Sequence, residues 1–230
     1  CALVDMFEAN ALESALGAAM MEPDRRIESN ERGYCSKHMA DLLSMPNKLS
    51  LALVLETRLE WVCSQLDSYS CKLRAASAEK KGLFKSKSDV KGVIEELKNK
   101  LESINSSCMI CEKMNKQMEK FLDVLFYLWR NDREFKQKIT GAKGFCMPHY
   151  KLLLDGVLMH LKGDDLAEFA QMLIDKQDEC LKTAQNNIHR FSLKFDYRNA
   201  DMDWEDAKDA PSRSVQRLCG GNSIKKNNDM

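Results

Sequence analysis

Gly33-Tyr34-Cys35-Ser36-Lys37-His38, followed by the largely apolar Met39 to Leu43, returns later in the chain as Gly144-Phe145-Cys146-Met147-Pro148-His149, followed by Tyr150 to Leu154. Each copy reads Gly-aromatic-Cys-x-x-His and then enters a helical pattern. A glycine ahead of the motif permits a tight or left-handed entry. Pro148 suits a first helical turn, where its missing N–H is not needed. Cys and His at i and i+3 then leave one face of that turn together.

Working outward, Cys108-Met109-Ile110-Cys111 precedes the second copy, with Cys111 thirty-five positions before Cys146, while Cys1 stands thirty-four positions before Cys35. Between them, each copy has a long helical pattern and an Asp-Arg step, Asp24-Arg25 and Asp132-Arg133. Self-similarity of this kind predicts a duplicated unit. In that register Cys1 is the second cysteine of a Cys-x-x-Cys whose first member falls upstream of residue 1.

Hydrophobic period supplies the elements. Leu3, Met6, Phe7, Ala11, Leu12, Leu16 and Met20 step at helical spacing over residues 2–22. Leu51, Leu55, Leu59, Val62, Leu66, Tyr69 and Leu73 do so over 51–73, Met114 to Leu128 over 112–129, and Phe169 to Phe191 over 165–195. No alternating run paired with a hairpin turn is present, so the expected class is all-α. The expected organisation is a first helical repeat over 1–82, a linker and helix start over 83–99, a second repeat over 100–195, and a C-terminal helical extension with a tail over 196–230. The Lys- and Ser-rich stretch from Ala78 to Val90 reads as a solvated connector, and 220–230 as a frayed end.

Composition narrows the function classes. The chain has 230 residues, thirty-five Lys+Arg against thirty-five Asp+Glu, 44% hydrophobic residues and a mean hydropathy of −0.45. Neutrality argues against a phosphate-facing basic surface, hence against a nucleic-acid partner, and against a polybasic membrane anchor. No apolar run approaches the ~20 residues of a membrane span. Nine cysteines, clustered rather than spread through a small scaffold, suit thiols on metal in a reducing, cytoplasmic setting.

Zinc takes four tetrahedral N or S donors, and Cys-x-x-Cys offers two from one turn. The second repeat is expected to close a Cys3His site from Cys108, Cys111, Cys146 and His149. The first offers Cys1, Cys35 and His38, with one ligand missing upstream. A closed four-donor site has no position for substrate, so the expected cofactor is structural zinc, contributing on the order of 10 kcal/mol to folding. The rival is a thiol redox enzyme or zinc-linked redox sensor using Cys108 and Cys111, although the alternating strands and helices of a thioredoxin-type fold are not seen. Cys63, Cys71 and Cys180 read as small buried thiols within helices, and His160 and His189 as isolated. Trp61, Trp129 and Trp204 read as packing anchors and Met20-Met21 as core filler. No phosphate loop, serine triad, metalloprotease motif or dinucleotide fingerprint occurs.

With these residues in view, the chain resembles an uncharacterised domain-of-unknown-function family found mainly in anaerobic Gram-positive bacteria, marked by duplicated Cys-x-x-Cys … Gly-Phe-Cys-x-x-His motifs. The stretch Trp204-Glu205-Asp206-Ala207-Lys208-Asp209-Ala210 is similar to that family's C-terminal segment. The resemblance implies a helical, zinc-containing cytoplasmic protein and no particular reaction. The expected function is therefore a zinc-stabilised helical binding or adaptor protein acting on a protein partner or small ligand, without catalytic residues.

Overall fold

The structure is a computed structural model, and it describes residues 1–17, 22–78, 88–199 and 201–221. Among these residues there are ten α-helices and no strand: α1 (Ala2–Leu16), α2 (Pro23–Arg32), α3 (Ser36–Ser44), α4 (Lys48–Ala78), α5 (Ser88–Asn105), α6 (Met109–Asn131), α7 (Arg133–Thr140), α8 (Met147–His160), α9 (Gly163–Leu193) and α10 (Ala210–Cys219). Short 3-10 turns lie at Tyr197–Asn199 and Glu205–Ala207. The all-α expectation holds. The order α1–α4 is also that of α6–α9, each series ending in a helix of 31 residues after a shorter one entered through Gly-aromatic-Cys.

The periodic stretches become α1, α4, α6 and α9, with α1 ending at Leu16 and a separate helix starting at Pro23, whose ring fits a first turn. The connector read from Ala78 to Val90 is partly helix, since α5 begins at Ser88. Met20-Met21, the lysine run from Glu79 to Lys87 and residues 222–230 lie outside the described residues.

The chain forms two compact units that do not follow the expected boundaries: Met6–Lys116 is one, and Cys1–Asp5 with Gln117–Met230 is the other. In the 6–116 unit, Ala11 and Leu16 of α1 pack with Leu42 of α3, Leu51 and Val54 of α4, and Cys108 and Ile110 at the head of α6. Beyond this core α4 runs on beside α5, and its outer half is mostly exposed. Cys63 and Cys71 are consequently exposed rather than buried, because α5 covers only one face of α4.

The other unit centres on Phe126, Trp129, Leu153, Val157, Phe169 and Leu173, contributed by α6, α8 and α9. Phe169 meets Phe126 at 5.1 Å and Trp129 edge-on at 4.8 Å, geometries that aromatic quadrupoles favour. Gly156 lets α8 approach α6 closely, since a Cβ there would stand 2.6 Å from the Phe126 ring. His160 stacks on Phe126 and lies 3.3 Å from Asp123, away from any cysteine group. No helix among the described residues is long and apolar enough to cross a membrane.

Candidate metal centres

One local design is used four times. Cys1, Cys35, Cys108 and Cys146 each stand immediately before a helix, and each carbonyl accepts the first-turn N–H of the residue four positions on, at 2.8–3.0 Å. His38, Cys111 and His149 occupy the third helical position after three of these cysteines. A Cys-x-x-His or Cys-x-x-Cys motif so placed aims both side chains off the helix N-terminus, where the helix dipole favours thiolate.

Gly33 (φ +64°) and Gly144 (φ +88°) make the entries, and neither accommodates a side chain. A Cβ on Gly144 would stand 2.4 Å from the Cβ of Cys180, and one on Gly33 would meet the Arg58 guanidinium at 2.7 Å. Each loop is also held from outside. Gln177 is buried in α9; its Oε1 accepts the Phe145 N–H and its Nε2 donates to the Phe145 carbonyl, both at 3.1 Å. The Gly33 carbonyl accepts the Met109 N–H at 3.0 Å, and Ser107 donates to the Arg32 carbonyl at 2.8 Å. Those two bonds join the start of α6 to the loop before α3.

The donors gather in two groups, and not as the repeat predicts. Cys35 and His38 meet Cys108 and Cys111; Cys1 meets Cys146 and His149. The expected closure of Cys108 and Cys111 on Cys146 and His149, and of Cys1 on Cys35 and His38, is corrected: the Cys-x-x-His of one repeat joins the cysteines of the other. Helix length gives the reason. From Cys111 to Asn131, α6 carries the chain about 30 Å, whereas α7 can return about 12 Å. Residues 141–145 would have to be fully extended to recover the rest. They are instead folded against Gln177 and Cys180 of α9.

The four-donor group lies wholly in the 6–116 unit. His38 Nδ1 is 3.3 Å from each of the sulfurs of Cys35, Cys108 and Cys111, and the Cys35 and Cys111 sulfurs are 3.9 Å apart. A zinc ion with its usual bond lengths requires tetrahedral edges of about 3.8 Å between sulfurs and about 3.5 Å between sulfur and nitrogen. The donors therefore fit such an ion with small adjustment. On the far side of the ring, His38 Nε2 lies 2.9 Å from Glu8 Oε1, which also pairs with Lys37. A carboxylate there fixes the tautomer that leaves Nδ1 as the donor, the usual support of a metal-bound histidine.

The thiols do not share charge evenly. Burial pushes Cys111 up to about 12, aided by the neighbouring Cys108 and Cys35 sulfurs. Burial also acts to raise Cys35, but hydrogen bonds from the His38 and Lys37 backbone and from the Cys108 and Cys111 thiols outweigh it and hold Cys35 below its ordinary value. Three adjacent sulfurs cannot all ionise unaided, and a divalent cation removes that conflict. Burial also raises Tyr34, next to Cys35 in sequence, to about 12, so its phenol stays neutral.

The second group comprises three donors among the described residues, all in the other unit. The Cys1 sulfur is 3.7 Å from that of Cys146 and 3.8 Å from His149 Nδ1, and Cys146 to His149 is 2.9 Å. The Gly221 N–H donates to the Cys1 sulfur at 3.2 Å. The neighbouring Gly220, at φ +71°, closes over Cys146, where a Cβ would stand 3.3 Å from the sulfur. Burial lowers the His149 imidazole, keeping it in the neutral form that can ligate.

The sequence reading names all seven donors but misses Glu8, Gln177 and the Gly220-Gly221 cap. Gln177 left a trace: a polar residue between Leu173 and Cys180 on the buried stripe of α9. No curated protein and no solved structure matches the chain. The model of a family of unknown function (DUF6062) matches residues 1–225, and the chain belongs to that family.

Proposed function

We propose that this is a zinc-stabilised helical binding or adaptor protein whose metal is structural rather than catalytic. The observation that carries the reading is the four-donor group of Cys35, His38, Cys108 and Cys111, spaced as a tetrahedral ion requires and backed by Glu8. Its donors come from two helix starts separated by some seventy residues of chain, so one ion ties α3 to α6. Four protein donors leave zinc no position for substrate or activated water, which supports a structural role. Cys1, Cys146 and His149 form the second metal group. Thiolates kept for metal suit a reducing compartment, and we place the protein in the bacterial cytoplasm. Its partner is a protein or a small ligand meeting the helix surfaces, rather than nucleic acid or membrane, in keeping with its net neutrality.

Plasma mass spectrometry on protein purified without added metal, beside thiol titration, tests this reading. At least one zinc per chain, with Cys35, Cys108 and Cys111 resistant to alkylation until a chelator is added, is the expected result. One distance favours a second reading: Cys35 and Cys111 sulfurs only 3.9 Å apart would be positioned, once an ion left, to form a disulfide by giving two electrons to an oxidant such as a peroxide or an exchanging disulfide. Metal-free protein carrying a readily reduced disulfide would replace the structural account with that redox one.

A further inference from the structure

A cavity of about 520 Å³ lies beside the three-donor group, inside the unit formed by residues 1–5 and 117–230. Leu3 and Val4 of α1, Phe121 and Leu125 of α6, and Leu152 of α8 line it, so most of its wall is hydrocarbon. The size falls within the range of small-molecule sites, about 300–1,000 Å³, which are typically apolar with a few convergent polar groups. Polar groups on α10 line it as well, among them Gln216, Arg213 and Arg217. Arg217 gives one N–H to the Gly144 carbonyl at 2.9 Å and forms no ion pair with a carboxylate among the described residues. Arg213, the other arginine on the rim, is already engaged by Asp209 at 2.9 Å and by the Asp206 carbonyl. The cavity thus pairs a long apolar wall with one arginine, Arg217, that has no carboxylate partner among the described residues, while Arg213, its charge met by Asp209, keeps a buried Nε–H without an acceptor.

We propose that this cavity binds a medium-chain alkyl carboxylate, its chain along Val4, Phe121 and Leu152 and its carboxylate on Arg217. A planar guanidinium matches a carboxylate with two parallel hydrogen bonds, and one unpaired arginine balances one negative charge. The apolar wall gains by removing the alkyl chain from water. No ion is required for this, although Cys146 and His149 line the same cavity.

Isothermal titration of the full chain with decanoate, and with decanol as the uncharged counterpart, tests the proposal, with zinc counted in the same sample so that loss of metal and loss of ligand binding are read separately. Saturable decanoate binding, at least tenfold tighter than that of decanol, is expected. Arg217→Met should weaken decanoate about tenfold and leave decanol unchanged. Val4→Trp, which fills the cavity from α1, should abolish both, with circular dichroism melting used to establish that each variant is folded. Absence of saturable decanoate binding, equal affinity for decanol, or undiminished decanoate binding in a folded Arg217→Met protein would overturn it.

Discussion

The two Cys/His groups are built from the same part, a cysteine ahead of a helix and a donor on its first turn, and they differ in what completes them. Around Cys35 and His38 a second such turn, Cys108 to Cys111, closes the set, and Glu8 holds the histidine from behind. Around Cys146 and His149 one sulfur from Cys1 joins, and glycine backbone at Gly220-Gly221 covers it. The motif alone therefore does not determine how many donors a site collects. What the rest of the fold brings to the motif's open side does.

The largest difference is expected on removing a donor from each group. On the proposed zinc reading, Cys108→Ser should abolish metal binding in the 6–116 unit and forfeit a large share of the ~10 kcal/mol that a structural ion supplies. Its core is small, and Cys108 is itself part of it. Cys146→Ser should destabilise less, because the unit around it retains the Phe126, Trp129 and Phe169 core. Thermal melting of both variants with zinc content measured alongside checks the order, and a larger loss in Cys146→Ser would invert the comparison.

The entry glycines give a second, smaller contrast. Gly144→Ala faces both a left-handed backbone and the fixed Cβ of Cys180, and should cost about 2–4 kcal/mol. Gly33→Ala meets the end of the Arg58 side chain, which can move aside, so about 1–3 kcal/mol is expected from the backbone alone, at φ +64° and ψ −159°. Urea denaturation of both variants reads the difference, and equal losses would mean that Arg58 is as immobile as the Cys180 backbone.

Glu8→Gln should leave the fold intact and weaken zinc about tenfold or more, measured by competition with a chromophoric chelator. A conservative change at the carboxylate with no effect would show that His38 is oriented by packing alone. If both groups hold zinc as proposed, acidification should release it, because protons compete for thiolate and imidazole. Below that transition the 6–116 unit should lose its protection of Cys35, Cys108 and Cys111, read with a dipyridyl disulfide, which still exchanges with thiols in acid, against exposed Cys63, Cys71 and Cys219 as the reference.

The sequence carries the all-α class and the donor residues because both are local. Helical period reports a buried stripe, and Cys-x-x-His ahead of a helix is complete within four positions. The pairing of donors is not local. Self-similarity at thirty-four and thirty-five positions suggests that each repeat closes on itself, but the interval contains helices whose length prevents it in the second copy. The same limit hides Glu8, which meets His38 across thirty positions. It also hides the start of α5 within a Lys- and Ser-rich stretch, and the exposure of Cys63 and Cys71, which depends on which face α5 covers.

Cadmium substituted for zinc in the full chain, observed by NMR through its couplings to cysteine β-protons, tests the exchanged pairing most directly. One cadmium resonance coupled to Cys35, Cys108 and Cys111 together is the predicted result. A single resonance coupling Cys108 and Cys111 to Cys146 would contradict it.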